Sequence, residues 1–176
     1  MKNTRKTKPI KKRATKRNKH LGHIPINSYY KLKIPKHGFL VFDIDDTVLR
    51  YDYRKSESYY VENLVPIDPS GFRRVCNIAD KRQIPIIFLT ARSEDGRDIT
   101  TKQIHTIGVK NQYPIYFSNG SDKGEYLYNE VISKMNKIDK KMHVVFVDDL
   151  VENLDNMKNA MTKYNIRFTN YLAQFP

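Results

Sequence analysis

The stretch FLVFDIDDTVL, residues 39–49, decides the fold. Its first part is apolar on consecutive positions, so both faces of a strand over residues 39–44 expect cover. It then runs into Asp43, Asp45, Asp46 and Thr47. Two further stretches repeat this design. IPIIFL at 84–89 leads into Thr90, Ala91 and Arg92, and VVFV at 144–147 leads into Asp148 and Asp149. Strands buried on both faces belong in a parallel sheet covered by helices, where functional groups gather at the carboxyl ends.

Working outward, longer amphipathic stretches separate these strands. Residues 68–83 read as a helix, with Phe72, Val75, Cys76 and Ala79 at helical spacing. Further helices are expected over 94–107, over 124–138 with Leu127, Val131, Ile132 and Met135 on one side, and over 150–164. Ile115 to Phe117 reads as a short strand and residues 167–172 as another. The pattern predicts an α/β, three-layer Rossmann-like domain around a parallel sheet of five strands.

Carboxylates clustered where strands end are costly unless a cation neutralises them. Oxygen donors of this kind suit Mg²⁺, which keeps part of its shell for water and substrate phosphate. An EF-hand calcium loop is excluded, because Val48 stands where that loop needs Gly and Arg54 where it needs Glu. A reading of these acids as helix caps or turn residues fits one pair but not two pairs at two strand ends.

VFDIDDTVL resembles the first motif of the haloacid-dehalogenase (HAD) superfamily of Mg²⁺-dependent phosphohydrolases. FLTAR is similar to its second motif and VFVDD to its fourth, and the resemblance covers roughly residues 38–172. It implies that Asp43 is a nucleophile forming an aspartyl-phosphate. Asp45 would protonate the leaving oxygen and then activate water; its backbone carbonyl would face the metal. Thr90, with Ala91 and Arg92 beside it, would hold the phosphoryl group. Asp149 would ligate Mg²⁺ directly, with Asp148 close by or acting through water. The second acid, Asp45, favours phosphoryl over carbon–halogen chemistry. The third motif is a lone cation, assigned to Lys123, which Ser121 or Asp122 would place in the first turn of a helix; a solvated surface lysine is the plain alternative. Arg92 could instead pair with Asp95 or Asp98. Asn153 stands where the fourth motif usually has another Asp, which bears on metal affinity, and Asp46 is expected to serve its loop.

Only 46 residues separate Asp43 from Thr90, so no large cap is expected and the site should be open to large substrates. The intervening flap, residues 51–62, has four tyrosines beside Arg54 and Lys55. They would either stack on bases or pack the flap onto the sheet. His105 and His143 have no metal-ligand spacing.

The chain has 176 residues and a formal net charge of +13, unevenly placed. Residues 1–36 hold 13 Lys or Arg and no acid, and the remaining residues hold 19 of each sign. Residues 1–36 read as a disordered basic tail and connector, with Tyr29 and Tyr30 as docking points, and residues 37–176 as the hydrolase-like domain. Ten Lys or Arg within residues 2–20 suit contact with nucleic acid, a nuclear or organellar address, or a solubilising arm. The lone Cys76 excludes an internal disulfide framework and suits a reducing, cytoplasmic setting. No apolar run is long enough to span a membrane, so no membrane partner is expected. The expected activity is therefore a Mg²⁺-dependent phosphatase acting on a phosphorylated substrate, a nucleotide or nucleic-acid phosphate end preferred. The alternative is a non-catalytic binding protein tethered to RNA or ribonucleoprotein by its tail.

Overall fold

The computed structural model describes residues 22–52, 64–135 and 141–176. The basic tail over 2–20, most of the tyrosine-rich flap and positions 136–138 of the expected third helix lie outside the described residues.

Six strands form one parallel sheet: β1 (His23–Ile26), β2 (Gly38–Phe42), β5 (Ile86–Thr90), β6 (Ile115–Phe117), β7 (His143–Asp148) and β8 (Arg167–Ala173), in the order β1-β8-β7-β2-β5-β6. The expected count of five is corrected to six. The additional strand, β1, comes from the segment read as a connector. Its burial is one-sided and slight, with only Ile26 buried. It also carries Pro25, which a sheet accepts at an edge. Such a strand lacks the apolar run that marks β2, β5 and β7.

Helices cover both faces, giving the three-layer Rossmann-like α/β architecture. Leu40 and Phe42 face one core with Phe72, Val75, Cys76 and Ala79 of α1 (Pro69–Lys81) and Ile104 of α2 (Arg97–His105). Phe39 and Val41 face the other, with Leu127 of α3 (Lys123–Leu127) and Leu154, Met157, Ala160 and Met161 of α4 (Val151–Lys163). The alternation follows from the two-residue period of a strand. A small antiparallel pair, β3 (Leu49–Tyr51) and β4 (Leu64–Pro66), stands where the chain leaves β2.

The expected helix over 124–138 is shorter and broken. After α3 the backbone opens into one π turn over Tyr128–Ile132, with Ser133 N–H donating to the Tyr128 carbonyl at 2.8 Å. A π turn shifts the phase of the following side chains, and Met135, expected in the buried stripe, is 41% exposed.

The connector docks through Tyr29 but not Tyr30. Tyr29 is fully buried among Phe42, Phe72 and Phe175, whereas Tyr30 is exposed beneath the Arg74 guanidinium. The Tyr29 hydroxyl donates to the Thr47 carbonyl at 2.7 Å. Asp68 caps α1 from a left-handed backbone (φ 42°) and accepts from Gly71 N–H, Ser28 Oγ and Tyr29 N–H. The segment preceding β2 is thereby bonded to both the loop after β2 and the start of α1.

Candidate functional site

The chain extends from β2 through β5 to β6 on one side, then returns to place β7 on the other side of β2. Ligand crevices of parallel sheets form at such a reversal, outside the carboxyl ends of the strands. Asp43 immediately follows β2, and its N–H donates to the Val147 carbonyl of β7 at 2.9 Å. Asp148 ends β7 and Asp149 follows it. Carboxylate oxygens of Asp43, Asp148 and Asp149 all lie within 4.8 Å of one another.

Lys123 reaches this group from the third helix. Its Nζ donates to Asp43 Oδ1 at 2.5 Å and to Asp148 Oδ2 at 2.8 Å, and the side chain is 2% exposed. Two local features hold it there. The Asp122 carboxylate caps α3 by accepting from Glu125 N–H at 2.9 Å. Gly124 then lets α3 press on α4, since a Cβ there would stand 2.5 Å from the Asn156 carbonyl oxygen and 2.8 Å from Ala160 Cβ.

The cluster is short of positive charge. Burial pushes the Asp43 carboxyl up to about 7, with Lys123 opposing the rise and Asp148 adding to it. Burial, followed by the Asp148 charge, raises Asp149 to about 6. Burial works to lower Lys123, but the carboxylates of Asp43 and Asp148 outweigh it and hold the ammonium above its ordinary value. One ammonium therefore faces three acids in a desolvated corner. Oxygen donors crowded this way can hold a metal ion, and the raised Asp43 and Asp149 report how much the group would gain from one.

The three acids differ in their bonding. Asp148 is fully buried and, besides Lys123, accepts from Leu150 N–H at 2.9 Å and from Asn153 Nδ2 at 3.0 and 3.1 Å. Asn153 thus braces Asp148 from the first turn of α4. Asp149 is only partly buried and accepts from Thr47 Oγ1 at 3.3 Å.

Asp45 stands apart from the three-carboxylate group. Arg92 holds it by two bonds, Nε to Oδ2 at 2.9 Å and Nη2 to Oδ1 at 2.6 Å. Arg92 Nη1 in turn donates to Thr100 Oγ1 and Gln103 Oε1 on α2. Of the partners open to Arg92 on sequence grounds, neither Asp95 nor Asp98 is the one found. Thr90 is fully buried at the end of β5, and its Oγ1 accepts from Arg92 N–H at 3.2 Å. Ala91 is exposed, and its carbonyl accepts from Gly120 N–H at 3.0 Å. Ser118 N–H and Oγ both donate to the Thr90 carbonyl, which fastens the loop after β6 to the loop after β5. Asp46 takes the left-handed backbone of a turn (φ 51°) and is exposed.

Sequence reasoning did not reach the Arg92–Asp45 pair, the Asn153 brace or the Tyr29 bond to Thr47. The first and last join residues 47 and 18 positions apart, and the Asn153 brace, only five positions long, depends on how the chain turns from β7 into α4.

Residues 112–172 match a family model described as a protein of unknown function (DUF2608). This segment contains Lys123, Asp148, Asp149 and Asn153 but neither Asp43 nor Asp45. No curated protein matches the chain.

Proposed function

We propose that this chain is a Mg²⁺-dependent phosphohydrolase of the haloacid-dehalogenase superfamily, working through an aspartyl-phosphate. The observation that carries this reading is the meeting of Asp43, Lys123, Asp148 and Asp149 at the carboxyl ends of two adjacent parallel strands. Oxygen donors alone favour a hard cation of the Mg²⁺ type, which Asp43, Asp148 and Asp149 would hold. When bound, Mg²⁺ would neutralise charge on the phosphoryl group.

The chain's own residues supply the remaining chemistry. Lys123 holds Asp43 Oδ1, opposing the rise of its pKa and leaving the other oxygen to attack phosphorus. That oxygen forms a bond to phosphorus while the bond to the leaving oxygen breaks. Asp45 gives that oxygen a proton, then takes one from the water that attacks phosphorus, and the bond to Asp43 breaks as inorganic phosphate leaves. Asp45 must first come off Arg92, because the guanidinium fork occupies both of its oxygens; the proton it then gives comes from solvent and is restored by the attacking water. An anionic substrate meeting Arg92 competes for that fork and frees Asp45. Thr90 would hold a phosphoryl oxygen through its hydroxyl. With only the β3–β4 pair and the flap between β2 and α1, the site suits a large substrate, and the basic N-terminal segment favours a nucleotide or nucleic-acid phosphate end.

One observation favours the second reading, a non-catalytic binding protein. The would-be acid is engaged by Arg92 at both oxygens. Release of phosphate from p-nitrophenyl phosphate, with and without Mg²⁺, separates the two. Mg²⁺-dependent turnover that Asp43→Asn abolishes supports the phosphohydrolase. No turnover, or turnover unchanged by Asp43→Asn, supports the binding protein.

A further inference from the structure

The opposite end of the sheet carries the opposite charge. Lys36, His37, Lys141, His143 and Arg167 line a pocket of about 440 Å³. They surround the amino ends of three neighbouring strands: Lys36 and His37 precede β2, Lys141 precedes β7, His143 begins β7 and Arg167 begins β8. No carboxylate is among these lining residues. The strand ends are tied together, since His143 N–H donates to the His37 carbonyl at 3.2 Å and Arg167 Nη2 donates to the Lys141 carbonyl. His143 Nε2 lies 2.9 Å from Thr169 Oγ1. The cations are therefore mounted on the sheet.

His143 and Asp148 are the two ends of β7, so the pocket lies about 17 Å from the acidic cluster at the usual rise of a strand. It is a separate site. Neighbouring strands stand about 4.8 Å apart, so Lys36, Lys141 and Arg167, at the amino ends of β2, β7 and β8, are spread over roughly 10 Å. That spread suits consecutive phosphates better than one. Lipid is the poorer match, because no aliphatic or aromatic side chain lines the pocket to enter a bilayer.

The N-terminal sequence points the same way. β1 runs parallel to β8, with His23 opposite Asn170. The chain therefore joins the domain at the sheet's amino-end side, and the sequence leading into it holds ten Lys or Arg within residues 2–20. Residues 37–176 are neutral overall, so the domain's own positive charge at this end is a local arrangement.

The geometry points to a second site at the amino ends of β2, β7 and β8 that takes the phosphate backbone of a polynucleotide. It fixes the nucleic acid on the face away from the acidic cluster. The inference rests on the pocket and does not require the phosphohydrolase reading.

The test is fluorescence anisotropy of a labelled single-stranded RNA and a labelled DNA duplex with the full chain, titrated with salt. Lys36→Ala/Arg167→Ala changes two exposed lining residues. Lys81→Ala/Lys102→Ala removes the same charge at exposed positions outside the pocket. The pocket variant is expected to bind roughly tenfold more weakly at low salt, with the log–log salt slope lower by about 1.4 for the single strand and about 1.8 for the duplex. The control is expected to match the wild type. Equal behaviour of the two variants, or no change in either, overturns the site and leaves binding to the N-terminal basic segment. Co-sedimentation with phosphatidylserine vesicles that depends on the pocket, while RNA and DNA binding does not, overturns it in favour of a membrane surface.

Discussion

Replacing Lys123 by Met probes the charge balance of the acidic cluster directly. The ammonium is 2% exposed and bonded to Asp43 and Asp148, themselves nearly and wholly buried. Methionine keeps most of the volume and removes the charge, so packing changes little. Asp148 retains Leu150 N–H and Asn153, whereas Asp43 loses the cation that opposes its raised pKa. Breaking a buried ion pair from one side costs about 3–5 kcal/mol. At about 2–4 °C per kcal/mol for a domain of this size, the metal-free melting temperature should fall by roughly 6–20 °C. The loss should shrink in acid, where Asp43 takes a proton. It should also shrink on adding Mg²⁺, which restores positive charge to the acids. Differential scanning calorimetry of Lys123→Met and Lys123→Met/Asp43→Asn, with and without Mg²⁺, measures all of this. The double variant should recover part of the loss. If Lys123→Met melts within about 2 °C of the wild type without metal, the buried ion-pair account is wrong.

Three other outcomes follow from the same geometry. Asp43→Asn should melt no lower than the wild type without metal, because it removes one charge from an over-acidic group while Lys123 keeps Asp148; a clear drop by calorimetry would contradict the charge shortage. Gly124→Ala should cost about 1–3 kcal/mol by denaturant unfolding, because α3 must move off the Asn156 carbonyl and carries Lys123 with it; wild-type stability would refute that close approach. His143 is pushed below its ordinary value near 6.5 by burial and by the Arg167 charge. The unfolded chain then binds the extra proton, so the His143 contribution is intact above 6.5 and is lost as pH falls through the depressed value. The raised Asp43 and Asp149 oppose this trend in every variant, so the measure is the difference between wild type and His143→Gln: the wild-type urea midpoint should fall relative to the variant's as pH drops from about 8 to 5.

Parts of the architecture can be read before any coordinates because burial leaves a mark on composition. β2, β5 and β7 are apolar at consecutive positions because helices cover both of their faces. α1 keeps Phe72, Val75, Cys76 and Ala79 in one stripe because it covers one face only. β1 escapes this logic, since an edge strand that buries only Ile26 has little apolar signal and contains Pro25. The π turn after α3 escapes too, because a period of 3.6 carried through residues 128–132 assigns Met135 to the wrong side. The place of Lys123 in the first turn of α3 follows from a local cue, the Asp122 cap, whereas its meeting with Asp43, 80 positions away, does not. The Arg92 fork on Asp45 spans 47 positions and has competitors at short range, so no local cue selects it. The aromatic clamp of Tyr29 is visible as a docking tyrosine, but its bond to the Thr47 carbonyl depends on three-dimensional packing.

The central claim is that Asp43 attacks phosphorus, and trapping the phosphoenzyme tests it most directly. The full chain is mixed with phosphorus-labelled p-nitrophenyl phosphate and Mg²⁺, quenched in acid, digested and mapped by mass spectrometry. The account predicts one acid-stable, hydroxylamine-labile phosphate on Asp43, absent in Asp43→Asn and accumulating when Asp45→Asn slows its hydrolysis. Label on another residue, or phosphate release with no labelled Asp43, would contradict it.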